Sequence, residues 1–177
     1  MRVIFLDFDG VLNSTDYFEG MHTDLGPAWQ DGEDKVLDGV AIERLNRIVE
    51  RTGAKVVVSS AWRLGRTARR LQRLLAGRGF EGEVIGVTER IWLDTPDRSE
   101  RERGEEIAEW LGRHPAVELF VILDDDSDMG HLRHRLVRTS HDHGLLDEHV
   151  EQAVAMLGEE TAQQMADEAA KAARGGR

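Results

Sequence analysis

The sequence contains no cysteine, and no run of about 18 apolar residues occurs anywhere in its 177 residues. The absence of cysteine excludes disulfide bonds and thiolate metal sites. The absence of a long apolar run predicts that no segment spans a membrane. Acidic residues follow the short apolar run at the N-terminus directly, which is not the pattern of a signal peptide. Together these absences favour a cytoplasmic protein.

Basic charge is also scarce, since 23 lysines and arginines face 34 acidic residues, giving a formal net charge of −11. That balance argues against a protein that coats nucleic acid irrespective of sequence. The charge is unevenly spread, however, because residues 63–80 carry six arginines and no acid, and residues 131–138 are also basic. Each stretch is either a local phosphate-binding patch or a solvated helix face, and the sequence leaves both interpretations open.

Short apolar runs alternate with helical patterns in a chain whose length suits one domain. Four runs predict strands, at 3–6, 55–60, 83–88 and 117–126. Apolar residues at helical spacing predict helices within 39–53, 67–79, 99–115 and 145–158. The apolar runs are continuous rather than alternating, which is typical of parallel strands covered on both faces. The pattern therefore predicts an α/β fold with a mostly parallel sheet and right-handed crossovers.

Two segments do not show a core pattern. Residues 13–37 are polar and contain glycine, and we expect them to form a long loop or flap, for which the role of a lid stays open. Residues 159–177 form a charged, alanine-rich tail that we expect to be helical or disordered. The main domain is accordingly predicted over residues 1–158.

Polar side chains stand at the ends of three predicted strands. They are Asp7, Asp9, Ser59, Ser60, Asp124, Asp125, Asp126 and Asp128. The carboxyl ends of neighbouring parallel strands meet at one edge of the sheet, so we expect several carboxylates to share a small volume. Such a cluster repels itself unless a cation occupies it, and oxygen ligands suit Mg²⁺.

This arrangement of acids can transfer a phosphoryl group. An ionised aspartate can attack phosphorus when a metal offsets the incoming charge, and a second carboxyl group can move the proton. Asp7 and Asp9 are two residues apart, so on an extended chain they face the same way. A cationic side chain is also needed, and Arg63, Arg101 and Arg103 are the candidates.

Four motifs in this order resemble those of the haloacid dehalogenase (HAD) superfamily of phosphohydrolases. They are "FLDFDGVLN", "KVVVSSAWR", "RGEEIAEWL" and "VILDDD", and together they span roughly residues 1–158. Within the superfamily they are most similar to the domains of nucleic-acid repair proteins that act as polynucleotide 3′-phosphatases. The resemblance implies a three-layer, Rossmann-like α/β/α fold.

The resemblance also implies a role for each matching residue. Asp7 would be the nucleophile and Asp9 the general acid and base, while Ser59 would bind phosphate and Arg103 would stabilise its charge. Mg²⁺ would be held by Asp7, the backbone carbonyl of Asp9, Asp124 and Asp125, although the long acidic run leaves Asp126 and Asp128 as alternatives. Further substrate contacts would come from Gly10, Ser60 and Arg63.

Neither gap between motifs is long enough for a separate cap domain. A capless site is open and admits large substrates, such as the 3′-phosphate end of DNA or RNA. Trp62 and Trp92 could stack on bases or could simply pack in the core. Other possibilities stay open: a phosphatase of nucleotides or small metabolites, a phospho-acceptor signalling domain, or a HAD-fold binding module without catalysis. The sequence carries no signal for oligomeric state.

Overall fold

The structure, a computed structural model, describes residues 1–24, 36–89 and 102–158, with the side chains of residues 21–24 left out. Arg101 and Trp92 lie outside the described residues, and so does the predicted tail at 159–177. Among the described residues, no helix combines the length and the apolar character needed to cross a membrane.

A five-stranded parallel sheet forms the centre of the fold. Its strands are β1 (Arg2–Leu6), β2 (Lys55–Val58), β3 (Val84–Val87), β4 (Leu119–Asp124) and β5 (Leu136–Arg138). Their order across the sheet is β3-β2-β1-β4-β5, and each pairs in parallel with its neighbour. The central strand β1 therefore pairs on one side with β2 and on the other with β4, and chain connections leave in opposite directions from this point.

The described residues also form five α-helices. They are α1 (Thr15–Asp24), α2 (Gly39–Thr52), α3 (Ala68–Gly77), α4 (Arg103–Arg113) and α5 (Asp147–Leu157). Short 3₁₀ helices follow β2 at Ala61–Arg63 and β4 at Gly130–Arg135. Helix α2 begins where the Asp38 side chain accepts a hydrogen bond from Val40 N, and it ends at Gly53 with φ 63°.

The strand residues alternate between two apolar layers, which explains why their sequence is continuously apolar. One layer contains Ile4 and Leu6 of β1 together with buried residues of α2, α3 and α5. The other contains Val3 and Phe5 together with Ile107 and Trp110 of α4. Helices thus lie on both faces of the sheet, and the predicted three-layer α/β/α fold is confirmed.

Two sequence-based predictions of local structure were wrong. Residues 15–24, placed in a polar loop, form helix α1, whose first residue is tied to the loop after β5 because Thr15 N donates to His141 O. The basic segment 131–138 is a 3₁₀ helix followed by the edge strand β5. Helix α4 lies within the predicted range 99–115: it begins at Arg103, and its N-cap residue Glu102 makes no capping hydrogen bond through its side chain.

The described residues contain no cap domain. The internal segments outside the description, 25–35 and 90–101, are each too short to form an independent domain. The carboxyl-terminal edge of β1, β2 and β4 is the edge at which ligands bind in open α/β sheets.

Candidate active site

The ends of three adjacent strands bring the candidate residues together. Leu6, the last residue of β1, pairs with Val58 of β2 and Leu123 of β4. The next residue of each strand then continues the ladder, because Ser59 N donates to Leu6 O and Asp7 N donates to Leu123 O. Parallel pairing therefore fixes Asp7, Ser59 and Asp124 at the same height on the sheet edge.

Three carboxylates form a compact cluster at this edge. One oxygen from each of Asp7, Asp124 and Asp125 lies within 4.8 Å of the others. Asp124 is fully buried and Asp7 is 7% exposed, whereas Asp125 is partly exposed. Of the four acids in the run after β4, Asp124 and Asp125 therefore join the cluster with Asp7.

Burial and mutual repulsion change the proton affinity of this cluster. Burial, followed by the charge of the neighbouring Asp7, raises the pKa of Asp124 to about 7 against the opposing charge of Arg103. Burial also raises the pKa of Asp7, while a hydrogen bond with Ser60 and the charge of Arg103 act in the opposite direction. Carboxylates in such surroundings ionise more readily when a cation is close.

The residues present fit a divalent cation. The donors are all carboxylate oxygens, which a hard cation such as Mg²⁺ prefers. Within the described part of the chain, the buried Oδ2 atom of Asp124 has no hydrogen-bond partner, although buried polar atoms are normally paired. An ion held by Asp7, Asp124 and Asp125 would satisfy this atom and offset the repulsion within the cluster.

A serine and an arginine add unpaired polar atoms beside the acids. The buried Oγ of Ser59 and the buried Nη1 of Arg103 both lack a hydrogen-bond partner among the described residues. The Nε atom of Arg103 lies 4.0 Å from Oδ2 of Asp124, so the guanidinium faces the acid cluster. A hydroxyl and a guanidinium without partners are suited to bind the oxygens of a phosphoryl group.

The start of helix α4 positions Arg103. Its backbone N–H donates to Oδ2 of Asp128 at 3.0 Å, and Gly104 N donates to Asp128 O at 3.1 Å. A Cβ atom at Gly104 would lie 2.1 Å from Met129 O, so only glycine permits this close packing. Asp128 therefore serves the N-terminus of α4, where an acid is favourable, rather than the acid cluster.

Asp9 has a different environment from Asp7. Its carboxylate is exposed and accepts hydrogen bonds from the indole Nε1 of Trp62 at 3.0 and 3.1 Å. The Nδ2 atom of Asn13 donates to Oδ1 of Asp9 at 2.8 Å, and Oδ1 of Asn13 accepts from Gly10 N. Phe8, between the two aspartates, is fully buried and packs against Trp62.

Trp62 makes contacts through its ring as well as through its indole N–H. The guanidinium carbon of Arg66 lies 5.5 Å from the ring centroid, and Phe8 packs at 5.2 Å between centroids. In this arrangement Trp62 holds Asp9 and packs on its neighbours, which differs from both the base-stacking and the simple core roles expected from the sequence.

Asp125 is enclosed by Gly10 and by the loop after β5. Gly10 has φ 71°, and a Cβ atom there would lie 2.4 Å from Cγ of Asp125. On the other side, Nδ1 of His141 lies 3.1 Å from Oδ2 of Asp125, and Arg138 Nε donates to Asp125 O. The Thr139 hydroxyl donates to Gly10 O at 2.6 Å, which ties the turn after β1 to this loop.

Arg63 does not reach the acid cluster through any described contact. It is buried, its Nη2 lies 2.5 Å from Oε2 of Glu106, and its Nη1 donates to the carbonyls of Ser59 and Ser60. These contacts brace the turn that carries both serines, and the predicted substrate contact of Arg63 stays a prediction. Ser60 accepts a hydrogen bond from Trp62 N and contacts Asp7 through its side chain.

Two other groups stand apart. Asp126 is exposed, and its N–H donates to Oδ1 of Asp124, so its backbone rather than its carboxylate supports the cluster. Among the described residues, none of the histidines belongs to a group of three potential metal ligands. The sequence analysis missed the contacts that five residues make at the site: Asn13, Trp62, Asp128, Thr139 and His141. Of these, only the contact of Asn13, four residues after Asp9, could have been found from local spacing.

The comparisons with known proteins agree with this geometry. The profile of one family, described as the HAD domain in Swiss Army Knife RNA repair proteins, matches residues 3–150. A search of curated proteins finds no match, and neither does a search of solved structures. The matched range includes β1 from Val3 onward, the other four strands described above and every acid of the cluster. The chain therefore belongs to the family of HAD domains found in Swiss Army Knife RNA repair proteins.

Proposed function

We propose that this chain is a Mg²⁺-dependent phosphomonoesterase that forms an aspartyl-phosphate on Asp7 and acts on the 3′-phosphate end of a nucleic acid. One observation carries the proposal. Unpaired polar atoms of Ser59, Arg103 and Asp124 converge with the carboxylate of Asp7 at one sheet edge. Membership in the HAD superfamily, whose members are generally phosphatases, supports the same chemistry.

In the first step, an oxygen of Asp7 attacks phosphorus as the bond from phosphorus to the substrate oxygen breaks. Ser59 and Arg103 hold the phosphoryl oxygens through the hydroxyl and guanidinium atoms that have no hydrogen-bond partner among the described residues. The depth of Asp7, at 7% exposure, keeps competing water away from the reacting atoms.

Asp9 transfers the proton in both steps. It gives a proton to the leaving oxygen in the first step and takes one from the attacking water in the second. That water breaks the bond between phosphorus and Asp7, releasing inorganic phosphate and restoring the carboxylate. Trp62 and Asn13 orient Asp9 for this exchange, since both donate to its carboxylate.

Asp7, Asp124 and Asp125 would hold the Mg²⁺ ion, as the fit of their oxygens indicates. When bound, the ion supplies positive charge that neutralises the phosphoryl group and keeps the nucleophile ionised.

The substrate assignment rests on the family and on access. The family is named for RNA repair proteins, and the described residues include no cap domain over the site. A site that is open at the sheet edge can accept the end of a polymer, and repair of broken strands requires the removal of terminal phosphates. We therefore place a 3′-phosphorylated RNA or DNA strand in this site.

The test is phosphate release from 3′-phosphorylated RNA and DNA oligonucleotides, beside a 5′-phosphorylated oligonucleotide and an aryl phosphate, with Mg²⁺ and with EDTA. We expect a strong preference for the 3′-phosphate that requires Mg²⁺ and disappears in Asp7→Asn. The matched control is Asp126→Asn, an exposed acid of the same cluster region.

Each other outcome has a defined meaning. Turnover of the aryl phosphate alone would support the phosphatase activity and indicate a nucleotide or a small metabolite as substrate. Mg²⁺ binding without turnover of any substrate would overturn the enzymatic proposal and favour a binding module.

A further inference from the structure

We infer that the exposed face of helix α3 and the turn before it form a binding surface for the backbone of a single-stranded nucleic acid. We call this surface the α3 arginine face and define it by Arg66, Arg69, Arg70 and Arg73. The inference rests on the proposed function, because it assigns the part of the substrate that lies outside the catalytic edge.

The first argument is charge. The protein carries a net charge of −11, yet residues 61–80 contain six arginines and no acidic residue. Two of the six point elsewhere, because Arg63 is buried against Glu106 and Arg78 donates to Leu37 O and Tyr17 Oη. The remaining four define the α3 arginine face.

The second argument is helical geometry. Arg69, Arg70 and Arg73 are exposed, whereas Leu71 and Leu75 of the same helix are fully buried in the core. Residues three and four positions apart lie on one side of a helix, so the arginines form one continuous side. Arg69 and Arg73 make no ion pair within the described part of the chain, and their charges are available to an anionic partner.

The third argument is continuity with the catalytic edge. Trp62 donates to Asp9, and the Arg66 guanidinium lies over the Trp62 ring and also donates to Trp62 O. Helix α3 begins directly afterwards, with Thr67 capping it through a hydrogen bond from Arg70 N. A strand whose terminal phosphate lies at Asp7 would therefore meet the arginines as it leaves the site beside Asp9.

The partner follows from these features. Regularly placed guanidinium groups bind phosphates without reading base sequence. Within helix α3, the rise from Arg69 to Arg73 is roughly 6 Å, which suits two neighbouring phosphates of one strand. We favour a single strand over a duplex because the acids that receive the end are buried, and a lone strand reaches a recessed site more easily.

The experiment compares two double variants with the same change in net charge. Arg69→Glu with Arg73→Glu removes the centre of the α3 arginine face. Arg133→Glu with Lys55→Glu is the control, since Arg133 is exposed in the 3₁₀ helix after β4 and Lys55 lies at the opposite end of the sheet. Both use the full chain.

Two quantities are measured. The first is kcat/KM for a 3′-phosphorylated RNA oligonucleotide divided by kcat/KM for an aryl phosphate. The second is the affinity of the Asp7→Asn protein, with and without each double change, for a fluorescent single-stranded oligonucleotide across a salt series. We expect the α3 variant to lose roughly tenfold in ratio and affinity, and to show a salt slope shallower by about 1.4, for two lost phosphate contacts.

The control variant should keep the ratio, the affinity and the slope of the parent. Equal losses in both double variants, or none in either, would overturn the inference while leaving the phosphatase intact. Tighter binding of a duplex than of the single strand would also overturn it. Failure of the proposed function has a separate signature, because the parent protein would then turn over no phosphorylated oligonucleotide.

Discussion

Asp7 and Asp9 stand two residues apart on one strand end, yet their surroundings are opposite. Asp7 is 7% exposed and lies among other acids, next to buried polar atoms that lack partners. Asp9 is exposed, and two side-chain donors already hold its carboxylate. The residue between them, Phe8, is fully buried and separates the two environments.

In the proposed mechanism, this difference divides two tasks between the aspartates. Asp7 lies at a strand end, beside buried polar atoms that have no hydrogen-bond partner among the described residues. A metal ion and a phosphate would bind to these atoms, so the carboxylate of Asp7 is positioned for bound ligands. The surroundings of Asp9 consist of Trp62 and Asn13, so the protein itself orients this carboxylate before any ligand arrives. A nucleophile needs the first arrangement, and a group that exchanges protons with solvent benefits from the second.

The largest expected effect comes from Asp9→Asn. Asparagine cannot exchange the proton, so hydrolysis of the aspartyl-phosphate should slow by as much as about ten-thousandfold, or roughly 5.5 kcal/mol. An aryl phosphate has a leaving group that needs no proton, so Asp7 should still be phosphorylated. Rapid-quench measurements should then show a burst of one equivalent of phenol. Identical kinetics in Asp7→Asn and Asp9→Asn would refute the division of tasks.

The next effect concerns the stability of the metal-free protein. Burial and the charge of Asp7 raise the pKa of Asp124 to about 7 in the folded protein, from the ordinary value of 3.8 that it has in the unfolded chain. Between these values the folded state keeps a proton that the unfolded state has lost, so the free energy of unfolding should fall as pH rises, by at most about 4 kcal/mol. Urea denaturation in EDTA measures this slope.

Asp124→Asn should flatten that slope, because asparagine has no proton to lose. The exposed neighbour supplies the control, and Asp126→Asn should keep the parent slope. Adding Mg²⁺ should stabilise the parent most at the high end of the range, where Asp124 is ionised. A parent protein whose metal-free stability rises over this range would contradict the assignment of a buried, protonated Asp124.

Two glycines provide a test at the point where the surroundings of Asp7 and Asp9 meet. Gly10 and Gly65 have nearly equal φ values of 71° and 73°, but only Gly10 faces an obstacle, with Cγ of Asp125 2.4 Å from a Cβ position. Gly65→Ala should cost about 1 kcal/mol of backbone strain. Gly10→Ala should cost about 2 kcal/mol and weaken Mg²⁺ binding, measured by calorimetry. Equal metal affinity in the two variants would contradict the placement of Asp125.

The smallest effect is expected from Trp62→Phe. Phenylalanine keeps the packing on Phe8 but removes the indole N–H that holds Asp9. Turnover of a 3′-phosphorylated oligonucleotide should fall about tenfold, or roughly 1.4 kcal/mol, with little change in melting temperature. Trp110→Phe is the control, since that ring packs on Phe5 in the core and should affect stability instead. A loss of stability without a loss of rate in Trp62→Phe would show that this residue contributes only packing and does not orient Asp9.

Most of the acid cluster was predictable from the sequence because local rules determine it. A continuous apolar run that ends in polar residues places those residues at a strand end, and parallel pairing brings Asp7, Ser59 and Asp124 together. The long acidic run after β4 was not resolved by such rules. Its members differ only in contacts made after folding, such as the hydrogen bond from Arg103 N to Asp128.

The surroundings of Asp9 could not be predicted for the same reason. Trp62 lies 53 positions away in sequence, and its indole reaches Asp9 only because β1 and β2 are neighbours. Helix α1 and strand β5 were also missed. Helix α1 is polar and is fixed by tertiary contacts such as Thr15 N to His141 O, and β5 has only three residues, too few for a periodic signal.

The central position of β1 has a consequence for synthesis of the chain. This apolar strand leaves the ribosome before either of its neighbours, and β4 follows only after residue 118. Unpaired apolar strands invite association with other chains and capture by chaperones. The strand that ends at Asp7 is therefore the one that needs the longest protection in the nascent chain. We expect substitutions within Arg2–Leu6 to lower the yield of folded protein before they alter the properties of the folded protein.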